Sequence, residues 1–148
     1  MKLPVSKPIV LVVEDEMILR MRAVDIVEDA GFVPIEAVSA DEAMKILESR
    51  DDISLLFTDI QMPGSMDGLK LAHATHKRWP HIKIILVSGK ISVADADKPN
   101  DSKFFSKPLE IKRMIAELQE MIGKGALKVM PSMIAAEDSL NKIGRAHV

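Results

Sequence analysis

The sequence contains no cysteine among its 148 residues. That excludes a disulfide scaffold, Cys-ligated zinc and thiol catalysis, and it suits a reducing compartment. Neither sign of charge is in large excess. With 20 basic and 22 acidic residues the net charge is −2, so there is no global electrostatic case for binding nucleic acid. Long hydrophobic runs are missing too. The run Ile9 to Val13 is followed at once by Glu14, Asp15 and Glu16, too short and too quickly charged for a signal peptide or a spanning helix. No internal repeat is present. These absences lead to the expectation of a soluble, cytoplasmic, single-domain protein without membrane attachment or direct DNA contact. Its 47% apolar residues suffice for one sizeable core without a structural metal.

Short β-branched runs alternate along the chain with longer segments of helical period. The runs are Ile9–Val13, Phe32–Ala37, Ile53–Thr58, Ile82–Ser88 and Lys103–Ser106. Two of them, IVLVV and IKIILV, are nearly continuous apolar residues, as in strands buried on both faces of a parallel sheet. Between them, Met17 to Ala30 carries Ile18, Met21, Val24 and Val27 at spacings of three and stops at Gly31. Ser39-Ala-Asp-Glu42 is a capping box opening a helix to about Arg50. Asp67 to about Trp79 predicts a helix closed by Pro80. Another runs from Leu109 to about Met121, with Pro108 at its entrance and Gly123 at its exit. Residues 91–101, with three aspartates and Pro99, allow only a stunted fourth helix. The order βαβαβαβαβα predicts an α/β doubly wound sheet. The ten methionines fall mostly on predicted core faces and fill gaps. From Lys124 to Val148 the composition shifts. We expect one domain over 7–123 and a C-terminal extension over 124–148, in which Ser132 opens a short helix that packs down or serves a partner or dimer.

In such a sheet, ligands sit beyond the carboxyl ends of the strands. The first predicted strand ends in Glu14-Asp15-Glu16, the third in Thr58-Asp59, the fourth in Ser88-Gly89 and the fifth in Ser106-Lys107-Pro108. Asp59 follows an apolar run, where an unpaired carboxylate is costly. Glu14 and Asp15 add like charge, so a divalent cation would relieve all three, and Mg²⁺ prefers such oxygen ligands. Asp59 is then a carboxylate nucleophile, Lys107 a second cation and Ser88 a hydroxyl donor to a phosphoryl oxygen. Each residue alone has an ordinary reading: acids favour helix N-termini, Ser-Gly is a turn, and Lys-Pro is a solvated boundary. Their joint occurrence, in order, at four strand ends is what carries the inference. His73, His76 and His81 cluster around Trp79-Pro80 without a matching acidic partner and read as surface or packing residues.

Over roughly 7–122, the chain resembles the response-regulator receiver family of two-component systems. The resemblance rests on Val10-Leu-Val-Val-Glu-Asp15, Leu56-Phe-Thr-Asp-Ile-Gln-Met-Pro-Gly64 with Met66-Asp-Gly68, Ile85-Leu-Val-Ser-Gly89 and Phe104-Phe-Ser-Lys-Pro108. It implies a five-stranded parallel sheet of order 2-1-3-4-5 with five helices. It also implies that Asp59 is the phosphoacceptor, Asp15 the direct Mg²⁺ ligand, Glu14 a ligand through water and the Gln61 backbone carbonyl a third ligand. Ser88 holds the switch hydroxyl position, Lys107 the phosphate-pairing position and Phe104 the switch aromatic. Phe104 lacks a hydroxyl, so it signals by packing alone. Gln61 and Lys90 occupy positions that tune phosphoryl lifetime. The implied partners are a sensor histidine kinase or histidine phosphotransfer protein and a downstream protein. The short stretch before Lys107 departs from the region that usually supplies the dimer face, so homodimerisation is left open.

Two rival readings compete. A phosphorylation-independent binding module would ordinarily have lost Asp15, Asp59 or Lys107, and all three are present. An aspartyl phosphatase would need a second Asp two residues after the nucleophile, where Gln61 stands. The expected function is a phosphorylation-dependent switch or relay, not an enzyme beyond its own phosphoryl transfer and dephosphorylation.

Overall fold

A computed structural model describes residues 7–64, 66–89 and 97–123. Lys90, most of the stretch expected to hold a stunted helix, and the extension 124–148 lie outside the described residues. Five strands, β1 (Ile9–Val13), β2 (Val33–Ala37), β3 (Ile53–Asp59), β4 (Lys83–Ser88) and β5 (Lys103–Ser106), form one sheet. They are parallel, as the apolar runs predict, and lie in the order β2-β1-β3-β4-β5 that the family resemblance implies. Among the described residues there are four α-helices: α1 (Met17–Asp29), α2 (Ala40–Ser49), α3 (Gly68–Arg78) and α4 (Ile111–Leu118). The last continues into a π-helical turn, Gln119–Gly123.

Strand side chains alternate between two cores, which is why the central runs are apolar throughout. Val10, Val12, Leu55, Phe57, Ile85 and Val87 face α1 and α4. Leu11, Val13, Leu56, Ile84 and Leu86 face α2 and α3. Pro34 is tolerated in β2 because that strand is an edge.

Local chemistry explains the helix starts. Ser39 Oγ accepts from the Glu42 amide at 3.1 Å, while Glu42 Oε1 accepts from the Val38 amide at 2.7 Å. The predicted capping box therefore closes one residue further back than its simplest form. Asp67 caps α3 by accepting from the Lys70 amide at 2.9 Å. Neither α1 nor α4 has a side-chain cap. In α1 the expected apolar stripe is only half buried. Ala23, Ile26 and Val27 enter the core, whereas Met17, Ile18 and Met21 stay exposed. At about 3.6 residues per turn a spacing of three drifts about 60° a step, so Met17, Ile18 and Met21 lie on the side of α1 turned away from Ala23, Ile26 and Val27. The methionines divide likewise: Met62 and Met114 are buried, but Met17 and Met21 face outward.

Candidate functional site

The strand order places the ends of β1 and β3 side by side, with Val13 opposite Thr58 in the register. The next residues, Glu14 and Asp59, therefore meet at the carboxyl edge of the sheet. The Glu14 amide donates to the Ala37 carbonyl at 3.1 Å, which ties it to the end of β2 as well. Glu14 and Asp59 are only 5% and 6% exposed, while Asp15 faces outward. One carboxylate oxygen from each of Glu14, Asp15 and Asp59 lies within 4.8 Å of the others.

Lys107 enters from the far edge. Its amide donates to the Ser88 carbonyl at 2.9 Å, joining the ends of β5 and β4. Its Nζ reaches Glu14 Oε1 at 2.8 Å and Asp59 Oδ1 at 3.2 Å. The other oxygen of Glu14 accepts from the Glu16 amide at 3.1 Å. Both Glu14 oxygens are thus engaged within the protein.

Burial pushes the Asp59 carboxyl above its ordinary range. Lys107 pulls it partly back, and the Asp15 charge pushes it further up. Burial likewise raises Glu14, against the opposing effect of its hydrogen bond from Lys107. For Lys107, burial alone would lower the ammonium. The hydrogen bond to Glu14 and the charge of Asp59 outweigh it and hold Lys107 above its usual value. Three carboxylates against one ammonium leave the cluster electronegative, and its side-chain donors are all hard oxygens. That donor set fits Mg²⁺.

Of the residues singled out from sequence, Glu14, Asp15, Asp59 and Lys107 are brought together. Ser88 is buried at the end of β4, and its neighbour Val87 pairs with Asp59. Gln61 lies exposed, two residues past Asp59, at the rim of an open depression shared with Met62, Pro63 and Asp67. Phe104 stands apart on β5, opposite Leu86, half-buried against the α2–α3 core.

Other residues support the site, and of these only Gly68 belonged to a motif quoted from the sequence. Gly68 lies against the backbone of Asp59, where a Cβ would collide with the Asp59 carbonyl oxygen, and its amide donates to Ile60 at 2.8 Å. Arg20 donates to the Glu14 carbonyl and to Glu36 Oε1, both at 2.9 Å. Arg22 donates to the Leu109 carbonyl at 2.9 Å. The partners of Arg20 and Arg22 are 6 to 87 residues away, so no local motif announces them.

Comparison with known proteins agrees with this geometry. The family model described as response regulator receiver domain matches residues 10–119. The chain is 34% identical over 116 residues to the response regulator receiver protein CpdR of Brucella abortus, covering 76% of this chain and 95% of that protein. It is 37% identical over 119 residues to the sensor kinase CckA of the same organism, covering 78% of this chain but only 12% of the kinase. The solved receiver domain of NtrX from Brucella abortus superimposes with a TM-score of 0.69 at 29% identity, covering 77% of this chain and 98% of that one.

Proposed function

This chain belongs to the response regulator receiver domain family of two-component systems, and on that premise we propose that Asp59 is its phosphoacceptor. The family's general function is phosphorylation on aspartate, and its members are signalling modules, not conventional enzymes. The observation that carries the assignment is the position of Asp59. It is a buried carboxylate at the end of β3, 3.2 Å from the Lys107 ammonium and clustered with Glu14 and Asp15.

In the proposed reaction, an Asp59 oxygen attacks the phosphorus of a phosphohistidine. The P–N bond breaks, and the departing imidazole keeps the electron pair and is protonated by solvent. Lys107 supplies positive charge to the phosphoryl oxygens, and the Ser88 hydroxyl donates to one of them afterwards. Asp15, Asp59 and the Gln61 carbonyl would hold Mg²⁺, with Glu14 acting through water because Lys107 and Glu16 engage its oxygens. When bound, the cation neutralises charge on the transferring oxygens. The domain thus catalyses its own phosphorylation and dephosphorylation. Phe104 reports the change by repacking, and Gln61 and Lys90 tune phosphoryl lifetime.

The proposed donor is a sensor histidine kinase or a histidine phosphotransfer protein, and the proposed location is the cytoplasm, where such donors act; no helix among the described residues is long and apolar enough to cross a membrane. Ile18 and Met21 on α1 and Ile111 on α4 are exposed and line one open depression, an apolar surface that suits donor docking. Residues 7–123 form the receiver unit and 124–148 an appended segment. Output passes to another protein or along a phosphorelay.

Intact-protein mass spectrometry after incubation with Mg²⁺ and acetyl phosphate tests this reading. A gain of one phosphoryl group that is lost in Asp59→Asn and in the presence of a chelator is expected. No gain, together with no beryllofluoride binding, would overturn it and leave a phosphorylation-independent binding module.

A further inference from the structure

The segment that carries Lys107 is held weakly by the sheet. β5 has only four residues and pairs with β4 alone. After Ser106, the Lys107 amide bonds to the Ser88 carbonyl. Pro108 then has no N–H to offer, and Glu110 gives α4 no side-chain cap. Beneath this segment lies a cavity of about 60 Å³, with Leu19, Ala23 and Phe57 on its walls and Asp59 and Lys107 at its polar end. Packing therefore leaves room for the segment to shift.

One side chain bridges this gap. Arg22 extends from α1 and donates from Nη2 to the Leu109 carbonyl at 2.9 Å, two residues past Lys107. Arg20, two positions earlier, points to another side of the same helix, where it donates to the Glu14 carbonyl and pairs with Glu36. α1 thus grips both halves of the charged cluster: the acidic loop through Arg20 and the lysine segment through Arg22.

We propose that Arg22 is a positioning residue that fixes the Lys107 ammonium against Asp59 by anchoring Leu109 to α1. The proposal rests on the assignment of Asp59 as phosphoacceptor. An ammonium displaced by even a fraction of an ångström stabilises a developing phosphoryl charge less well, whereas the acidic cluster itself stays in place. Arg22 touches neither donor nor phosphoryl group, so its effect runs through backbone geometry. A lysine at the same position can still donate one hydrogen bond to the Leu109 carbonyl. Methionine keeps the stem packing and loses the donor, and glutamine is polar but too short to span the gap.

The test measures the Mg²⁺-dependent initial rate of phosphorylation by acetyl phosphate in the full chain, with thermal unfolding in parallel. Arg22→Met and Arg22→Gln are expected to lose about tenfold in rate, equivalent to about 1.4 kcal/mol of barrier. Arg22→Lys is expected to recover to within about threefold of wild type. Equal rates for wild type and Arg22→Met would overturn the proposal. So would an Arg22→Lys variant as slow as Arg22→Met while the thermal midpoints remain alike. A wild-type protein that takes up no phosphoryl group and binds no beryllofluoride would instead overturn the Asp59 assignment, so the two failures are told apart.

Discussion

Burial raises the Asp59 carboxyl above its ordinary range, and folding stability inherits the shift. Between the ordinary carboxylate range and the raised value, the folded chain binds more protons than the unfolded one. Stability therefore falls as pH rises through that window and stays lower above it. Asp59→Asn removes the charge while Lys107 keeps Glu14 at 2.8 Å. It is expected to raise the thermal midpoint of chelator-treated protein at neutral pH, by about 1 kcal/mol or a few degrees. Lys107→Met does the reverse, because it leaves two buried carboxylates uncompensated; a loss of about 3 kcal/mol is expected in denaturant titration. Mg²⁺ at a hundred times its dissociation constant adds about 2.7 kcal/mol to the wild type. A thermal shift scan with and without the cation checks this, and Asp59→Asn should lose most of the gain. The identities of Glu14, Asp15, Asp59 and Lys107 were legible because each sits at a predicted strand end. The contact of Lys107 with Glu14 as well as Asp59 was not legible, since spacing along the chain says nothing of a side chain's reach across the sheet.

At the scale of elements, α2 shows how far local chemistry goes. Ser-x-x-Glu satisfies orphan amides wherever it occurs, so the start of this helix could be read without knowing its neighbours. Ser39→Ala is expected to destabilise the domain by about 1 kcal/mol and leave phosphorylation by acetyl phosphate unchanged, as paired melting and mass measurements would show. α1 shows the opposite. Its spacing of three marks Ile18, Met21, Val24 and Val27 as one stripe, but at about 3.6 residues per turn that stripe drifts about 60° a step, so Ile18 falls opposite Val27 and is 69% exposed. A hydrophobic stripe states which face is apolar. A series of threes wraps around the helix, and only the part turned toward the sheet is covered.

For the whole molecule, the two cores on opposite faces of one sheet leave the reactive cluster on a rim shared by the ends of β1, β3, β4 and β5. Ile18, Met21 and Ile111 are exposed together in one open depression between α1 and α4. Ile18→Glu combined with Met21→Glu is expected to slow phosphoryl transfer from the donor protein by about tenfold or more. Phosphorylation by acetyl phosphate should stay within about twofold of wild type, because the small donor needs no docking surface. Parallel time courses with the two donors check this, and equal slowing in both would place the effect in the fold.

The sequence by itself determined the parallel α/β order, the position of each strand and the residue types at each strand end. Continuous apolar runs, cap residues and breakers are local signals with local causes. Tertiary structure decided the rest. It brought Lys107 to Glu14 across 93 positions, set Gly68 against the Asp59 backbone and linked Arg22 to Leu109. Each of these depends on strand order and on where neighbouring elements end, and such distances exist only once the whole sheet has assembled.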